Sequence, residues 1–281
     1  MPGSIFFRHP EILLHSLSQM NDGYEGKVTA RSFGLIVFLQ KLYVLIFGIP
    51  EIGFQVRSMY FQKAIHKITE AMNPQKILDV GSGIGSYVFE LSRQFPSSRV
   101  DGWEIDRKKL AFSRKFADEQ AFRNVSFSFG DITHKPPVRA YYDVVLTVDV
   151  LEHISDYKKA LTHMHQVLKP GGFLYIHTPQ ENQKRFFRSF ETWEHEDHVR
   201  EGFSPHSLRK EMEKIGFRDV TVRNTFGFFG SLTWELNHLF LAKSFILAGL
   251  LYPLLFLLSR LDGAVENKSG LCMLVTARKK Q

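Results

Sequence analysis

A seven-residue run, Asp79-Val80-Gly81-Ser82-Gly83-Ile84-Gly85, has the composition of a ligand-binding turn. The β-rich stretch Lys76–Val80 ends in it, and an amphipathic segment begins at Ser86. Strand, glycine turn and helix in that order present backbone N–H groups and a helix N-terminus to a ligand. Glycine suits such a turn because a Cβ would block close approach or forbid a positive φ. A dinucleotide fingerprint, G-x-G-x-x-G, would place glycine at position 86, and this chain has Ser86. The spacing is instead the compact G-x-G-x-G, which disfavours a nicotinamide oxidoreductase.

Further carboxylates follow at the ends of the next two β-rich stretches. In Gly102-Trp103-Glu104-Ile105-Asp106, Glu104 sits where a carboxylate accepts hydrogen bonds from both hydroxyls of a ribose, and Asp106 suits the N-cap of the helix that follows. Gly130-Asp131-Ile132 offers a carboxylate for an adenine amino group and an apolar side chain for its ring. Alone, Asp131 would pass as an ordinary turn residue. Three histidines are general-base candidates: His153, His177 and His198. Packing and capping are the competing roles for the first two. His198 closes the stretch Trp193-Glu194-His195-Glu196-Asp197-His198, which reads as a lid over an acceptor or as a solvated loop. Its imidazoles and carboxylates are metal-type donors, but four successive residues cannot converge on one ion from regular structure, so no metal is expected. Arg200 suits either recognition of an anion or an ordinary surface position.

The elements that must position these residues alternate in type between Lys76 and Thr178. Strands are expected at Lys76–Val80, Arg99–Ile105, Val125–Ile132, Asp143–Val150 and Phe173–Thr178, with helices near Ser86–Phe95, Arg107–Ala121 and Ser155–Leu168. Such alternation specifies βαβ units and a parallel sheet. Ser204-Pro205 is an N-cap followed by proline at the first helical position, and Gly216 supplies a stop. Phe217–Phe226 and Leu271–Arg278 complete seven strands, the last of them antiparallel at the sheet edge. The fold class is therefore α/β: a doubly wound, Rossmann-like, seven-stranded sheet with an apolar helical cap.

Ile77-Leu78-Asp79-Val80-Gly81-Ser82-Gly83-Ile84-Gly85, Gly130-Asp131-Ile132, Asp149-Val150-Leu151-Glu152-His153-Ile154 and Leu168-Lys169-Pro170-Gly171-Gly172 occur in order. Together they resemble the class I S-adenosylmethionine (SAM)-dependent methyltransferases, in particular the broad group containing the ubiquinone-biosynthesis O-methyltransferases. The resemblance runs from Lys76 to Phe217. It implies that SAM is the cofactor, with Asp79, Gly81, Ser82, Gly83 and Gly85 at its methionine end. Glu104, with Ile105 beside it, would take the ribose, and Asp131 with Ile132 the adenine. Val148 and Asp149 would approach the methionine moiety and the acceptor. The quinone-biosynthesis enzymes carry a comparable acidic and histidine-containing segment beside their active site. The implied reaction is in-line transfer of an activated methyl group, in which the protein supplies proximity, orientation and exclusion of water.

Composition bounds the acceptor only loosely. A net charge of +7 and a pI near 9.4 are compatible with nucleic acid, an acidic membrane or an anionic substrate. Thr147-Val148-Asp149-Val150 lacks the Asn/Asp-Pro-Pro-aromatic motif of base methylases and no RNA-binding module is recognisable, which disfavours nucleic acid. The single cysteine, Cys272, excludes an internal disulfide and reads as a buried structural thiol. No hydrophobic core of a signal peptide stands in the first 33 residues, so a cytoplasmic setting is expected.

Two apolar runs, Gly34–Ile49 and Leu239–Leu258, flank the core. Strands are expected on both sides of the second in one sheet, so a single membrane crossing is impossible. A helical hairpin broken at Pro253, either packed on the domain or dipping into one leaflet, fits better. The division expected is a cap segment over residues 1–70, a SAM-binding core over 71–229, an apolar insertion over 230–269 and a final strand with a basic tail over 270–281. The function expected is methylation of a hydrophobic or amphiphilic acceptor (a lipid, quinone or lipid-linked intermediate) near the inner face of a membrane. A soluble enzyme for a sugar or small metabolite, with the apolar runs as cap and homodimer surface, and a noncatalytic SAM-binding protein are the alternatives.

Overall fold

The computed structural model describes residues 51–187 and 198–281. The run Gly34–Ile49 and the residues His195, Glu196 and Asp197 lie outside them. Helix α1 (Ile52–Ala71) comes first, followed by β1 (Lys76–Val80), α2 (Ser86–Gln94), β2 (Arg99–Glu104), α3 (Arg107–Glu119) and β3 (Val125–Phe129). Then come β4 (Tyr142–Val148), a short 3₁₀ turn (Leu151–His153), α4 (Tyr157–Val167) and β5 (Leu168–Pro179). The remaining elements are α5 (Pro205–Ile215), β6 (Phe217–Thr225), α6 (Phe228–Lys243), α7 (Phe245–Ala264) and β7 (Cys272–Lys279).

The seven strands form one sheet in the order β3-β2-β1-β4-β5-β7-β6. Pairs from β3 through β5 are parallel, and β7 runs antiparallel to both β5 and β6. The doubly wound fold expected from the alternation is present. The antiparallel strand differs in one respect, since β7 is inserted between β5 and β6 and leaves β6 at the edge. The chain reverses direction across the sheet between β1 and β4, the switch point at which doubly wound folds open a crevice for ligands.

Each face of the sheet is covered by helices whose apolar residues recur at helical spacing. On α4, Ala160, Leu161, Met164 and Val167 are fully buried, as the period predicts. The opposite face is aromatic. Phe89 of α2 packs on Phe116, Phe122 and Phe127 with ring centroids 4.9–5.3 Å apart. Burying one such ring contributes about 1.5–3 kcal/mol. The caps predicted also form: Asp106 accepts from the N–H groups of Lys108 and Lys109, and Ser204 accepts from Ser207. Gly216 ends α5 in the left-handed region at φ +116°.

Four boundaries move. Strand β3 stops at Phe129, which leaves Asp131 and Ile132 in the turn beyond it. Strand β4 ends at Val148, which places Asp149 and Val150 past its end. Strand β5 begins at Leu168, taking in Pro170-Gly171-Gly172 with a register irregularity against β4. The apolar hairpin breaks at Ser244 rather than Pro253. Ser244 leaves the helical region at φ −165° and its side chain caps α7 by accepting from Leu247 N, whereas Pro253 is carried inside α7. A cap satisfies N–H groups that a helix start would otherwise leave bare, and this local gain sets the break.

Candidate active site

The predicted cofactor residues converge at the C-terminal edge of the parallel strands. Gly81 N and Ser82 N both donate to Trp103 O, which ties the glycine turn to the end of β2. Gly81 has φ +73°, and a Cβ there would collide with Val150, so only glycine keeps the turn closed on β4. Gly83, at φ +56°, has nothing within 4 Å of where a Cβ would point; its front is open to a ligand. Glu104 reaches back under the turn: Oε2 accepts from Gly83 N at 2.7 Å, and Oε1 accepts from Ile105 N and Asp106 N at 2.9 and 2.8 Å. Asp131 closes its own turn by accepting from Thr133 N and Oγ1, with His134 on its other oxygen. Ile132 is buried, and its carbonyl is held by His163.

Asp79 is nearly inaccessible, and its Oδ2 has no hydrogen-bond partner. Burial, with Glu104 adding to it, pushes its carboxyl up to about 8. The neighbouring Ser82 hydroxyl is likewise buried without a partner. An orphaned carboxylate oxygen fits a cationic group, and a buried polar atom left unmade costs about 1–3 kcal/mol. Beyond the turn, Ile105 and Phe129 are large apolar side chains more than half exposed. Ile105 follows Glu104 in sequence and Phe129 pairs with it across β2 and β3, an apolar bracket beside the carboxylate.

Asp149 follows β4 in the left-handed region at φ +52°, a strained setting for a residue other than glycine. Two groups hold it there: Arg57 of α1 at 3.1 Å and His177 Nδ1 at 2.7 Å. Burial works against its charge, but Arg57 and His177 outweigh it and keep the carboxyl below the usual range. His177 is fully buried, with Nε2 against Thr225 Oγ1 at 3.1 Å. Both ring nitrogens are engaged, so His177 orients Asp149 and is not the open base that its strand-end position suggested.

A cavity of about 180 Å³ lies beside Asp149, with Arg57, Glu152, His153, Arg185 and His198 on its polar side and Phe226, Trp234 and Leu271 on its apolar side. Cys272 lines it too; the residue is part-buried, and burial pushes its thiol well above the ordinary range. A larger depression of about 540 Å³ between Arg209 and Thr221 sits at the start of β6, the opposite edge of the sheet. In the smaller cavity, Glu152 accepts from the Thr178 hydroxyl at 3.0 Å, and its other oxygen is buried without a partner. Burial, then the charge of Asp149, raises its carboxyl above the ordinary range. The rings of His153 and His198 meet edge to face at 4.5 Å. Donor atoms of Glu152, His153 and His198 lie within 4.8 Å of one another, a cluster assembled from two distant stretches of chain.

Arg200 is spoken for. Its guanidinium donates to the carbonyls of Leu151, Ile154 and Ser155 at 2.6–2.9 Å and lies over Tyr157 and Phe203. It clamps the post-β4 turn with three of its five N–H donors. Arg57, Glu152 and Arg185 have taken the prominent places, and none was assigned a site role from sequence. Only the fold brings them together, although Glu152 lay within a motif already noted.

A family model described as a methyltransferase domain matches residues 56–222, more than half of the chain. The chain belongs to the methyltransferase-domain family. A demethylmenaquinone methyltransferase of Deinococcus radiodurans is 29% identical over 106 residues, 38% of this chain and 44% of that one. A ubiquinone biosynthesis O-methyltransferase of a Shewanella species is 32% identical over 115 residues, 40% of this chain and 47% of that one. The chain thus spans less than half the length of these curated relatives. A Haemonchus contortus phosphoethanolamine N-methyltransferase 2, solved with SAM, superposes with a TM-score of 0.53 at 21% identity. That match covers 74% of this chain and 49% of the other, a likeness of fold. The orphaned Asp79 oxygen, the open front of Gly83 and the apolar bracket of Ile105 and Phe129 fit the family's cofactor, SAM.

Proposed function

We propose that the chain transfers the methyl group of SAM to an amphiphilic acceptor whose polar end enters the Glu152 cavity. The observation that carries the acceptor class is a row of leucines on α7. Leu247, Leu250, Leu254, Leu257 and Leu261 are each exposed, Leu250 at 75%. At 3.6 residues per turn they fall within a sector of about 80° and extend over about 21 Å. Their helix forms a hairpin with α6, which supplies Trp234 to the cavity wall. Lys243, Arg260 and Lys268 are exposed around the row, a pairing of apolar stripe and basic rim that suits an anionic membrane surface. The acceptor's apolar part would lie against this hairpin.

SAM, when bound, supplies a methyl group already activated on a sulfonium. Asp79 would neutralise its ammonium group, the Gly81–Gly85 turn would take its methionine end, and Glu104 would meet the ribose. Three of the roughly four acceptor sites on the Glu104 carboxylate are taken by backbone N–H groups, which leaves one for a ribose hydroxyl. Asp131 and Ile132 would border the adenine, with Ile105 and Phe129 across its faces. Val148 and Asp149, at the end of β4, border the methionine moiety and the acceptor. Glu152, oriented by Thr178 and with one oxygen unpartnered, would act from its ionised form, which burial makes the minor one at neutral pH, to accept the proton that the acceptor's nucleophilic atom gives up. His153 and His198 stand beside it.

The test is a transfer assay with methyl-tritiated SAM and a total membrane-lipid extract. Label is expected in the organic phase, reduced about 10²–10⁴-fold by Glu152→Gln. Calorimetric SAM binding by that variant should be unaltered. Label confined to the aqueous phase, from protein that binds SAM, would overturn the amphiphilic acceptor. Loss of transfer on chelation would assign Glu152, His153 and His198 to a cation instead of a proton.

A further inference from the structure

We propose that Arg185, stacked on Trp234 in the cavity wall, is the binding site for an anionic group, phosphate or carboxylate, carried by the acceptor. The inference rests on that cavity being the acceptor side of the methyl-transfer site. The guanidinium carbon lies 5.0 Å over the Trp234 ring, a cation–π contact that holds the head group in the cavity wall. Its backbone is fixed as well. Glu235, fully buried on α6, accepts from Phe186 N at 3.0 Å and from Phe187 N at 2.9 Å. Glu235, whose charge favours the Arg185 cation from a distance, is thus committed to holding the loop, and Arg185 makes no salt bridge with any described residue.

Charge in the cavity makes this unusual. Arg57 is paired twice, with Asp149 at 3.1 Å and Glu51 at 3.5 Å. Asp149 is in turn satisfied by Arg57 and His177, and burial favours the neutral form of Glu152. Among the described residues that line the cavity, Arg57 is ion-paired and Arg185 is not. Burial lowers the pKa of Arg185, and the charge of Glu235 offsets this only in part. A buried charge without a counterion is unfavourable, and a planar fork is shaped for a carboxylate or phosphate. An anionic acceptor would supply what the fold withholds.

The experiment uses the full chain loaded with S-adenosylhomocysteine. Phenyl phosphate, benzoate and the neutral benzyl alcohol are titrated by calorimetry. At least one anion is expected to bind about tenfold or more tightly than benzyl alcohol. Arg185→Gln should abolish that preference, whereas Arg185→Lys, which keeps the charge and loses the fork, should keep part of it. The phosphate and benzoate arms tell which anion the fork prefers. Equal binding of all three probes to the wild type, or an anion preference that survives Arg185→Gln, overturns the proposal. Binding of S-adenosylhomocysteine and the thermal midpoint are measured on every variant. Failure to bind S-adenosylhomocysteine would instead sink the methyltransferase reading.

Discussion

Asp79 is a carboxyl group folded into a place where it cannot comfortably ionise. Its pKa of about 8 lies far above the unfolded value of about 3.9. The native state then holds more protons than the unfolded state between those two values. This group's contribution to stability is full below the lower value and is lost as pH rises through the upper one. An ammonium group lodged against Oδ2 reverses the preference and expels the proton. SAM binding at pH 7 should release about one proton, read from calorimetry in buffers of different ionisation enthalpy. Asp79→Asn should bind without that release; proton-neutral binding by the wild type would contradict the contact. Much of this site was legible in sequence. The turn, Glu104, Asp131 and Asp149 all sit at strand ends, and a strand end is a local property. Arg57 and Arg185 were not, because their meaning comes from what lies across the cavity. His177 and Arg200 mislead for the same reason: a side chain's type does not reveal that Asp149 and Thr225, or three carbonyls, already occupy it.

Elements are joined here by polar nodes as well as by apolar faces. Asp262 of α7 is fully buried, accepts from the Tyr60 hydroxyl of α1 at 2.8 Å and from Gly230 N of α6 at 2.9 Å. Its own carbonyl takes Asn267 Nδ2 at 3.1 Å. One carboxylate thus locks three helices. Asp262→Ala would strand the buried Gly230 N–H, while the Tyr60 hydroxyl keeps the main-chain carbonyl of residue 262 and Asn267 Nδ2, and should cost about 1–3 kcal/mol. Urea denaturation checks this, with the midpoint falling and the slope unchanged; a loss below about 0.5 kcal/mol would show the node to be ornamental. Helix starts and stops were readable wherever a cap stood beside a periodic run, as at Asp106, Ser204 and Gly216. In the apolar hairpin the period carries no phase because nearly every position is apolar. Proline then looked like the break, although a serine cap nine residues earlier in the chain decided it.

At the scale of the molecule, the leucine row and its basic rim ask for a surface. Flotation with anionic vesicles should carry the protein upward at low salt, and replacing Leu250, Leu254 and Leu257 by Asn should leave it at the bottom. Wild-type protein that stays in the soluble fraction at every salt concentration would argue for an acceptor met in water. The parallel sheet was foreseeable because alternation of element type dictates it, whereas the place of β7 was not: both edge and interior are open to an antiparallel strand. That placement shapes how the chain comes together. β6 has no neighbour in the sheet except β7, and β7 is made only after the whole α6–α7 hairpin. During synthesis the apolar hairpin leaves the ribosome while the sheet beside it is still open. The nascent hairpin therefore stays uncovered on its sheet side until residues 272–279 arrive to staple β6 to the rest of the protein.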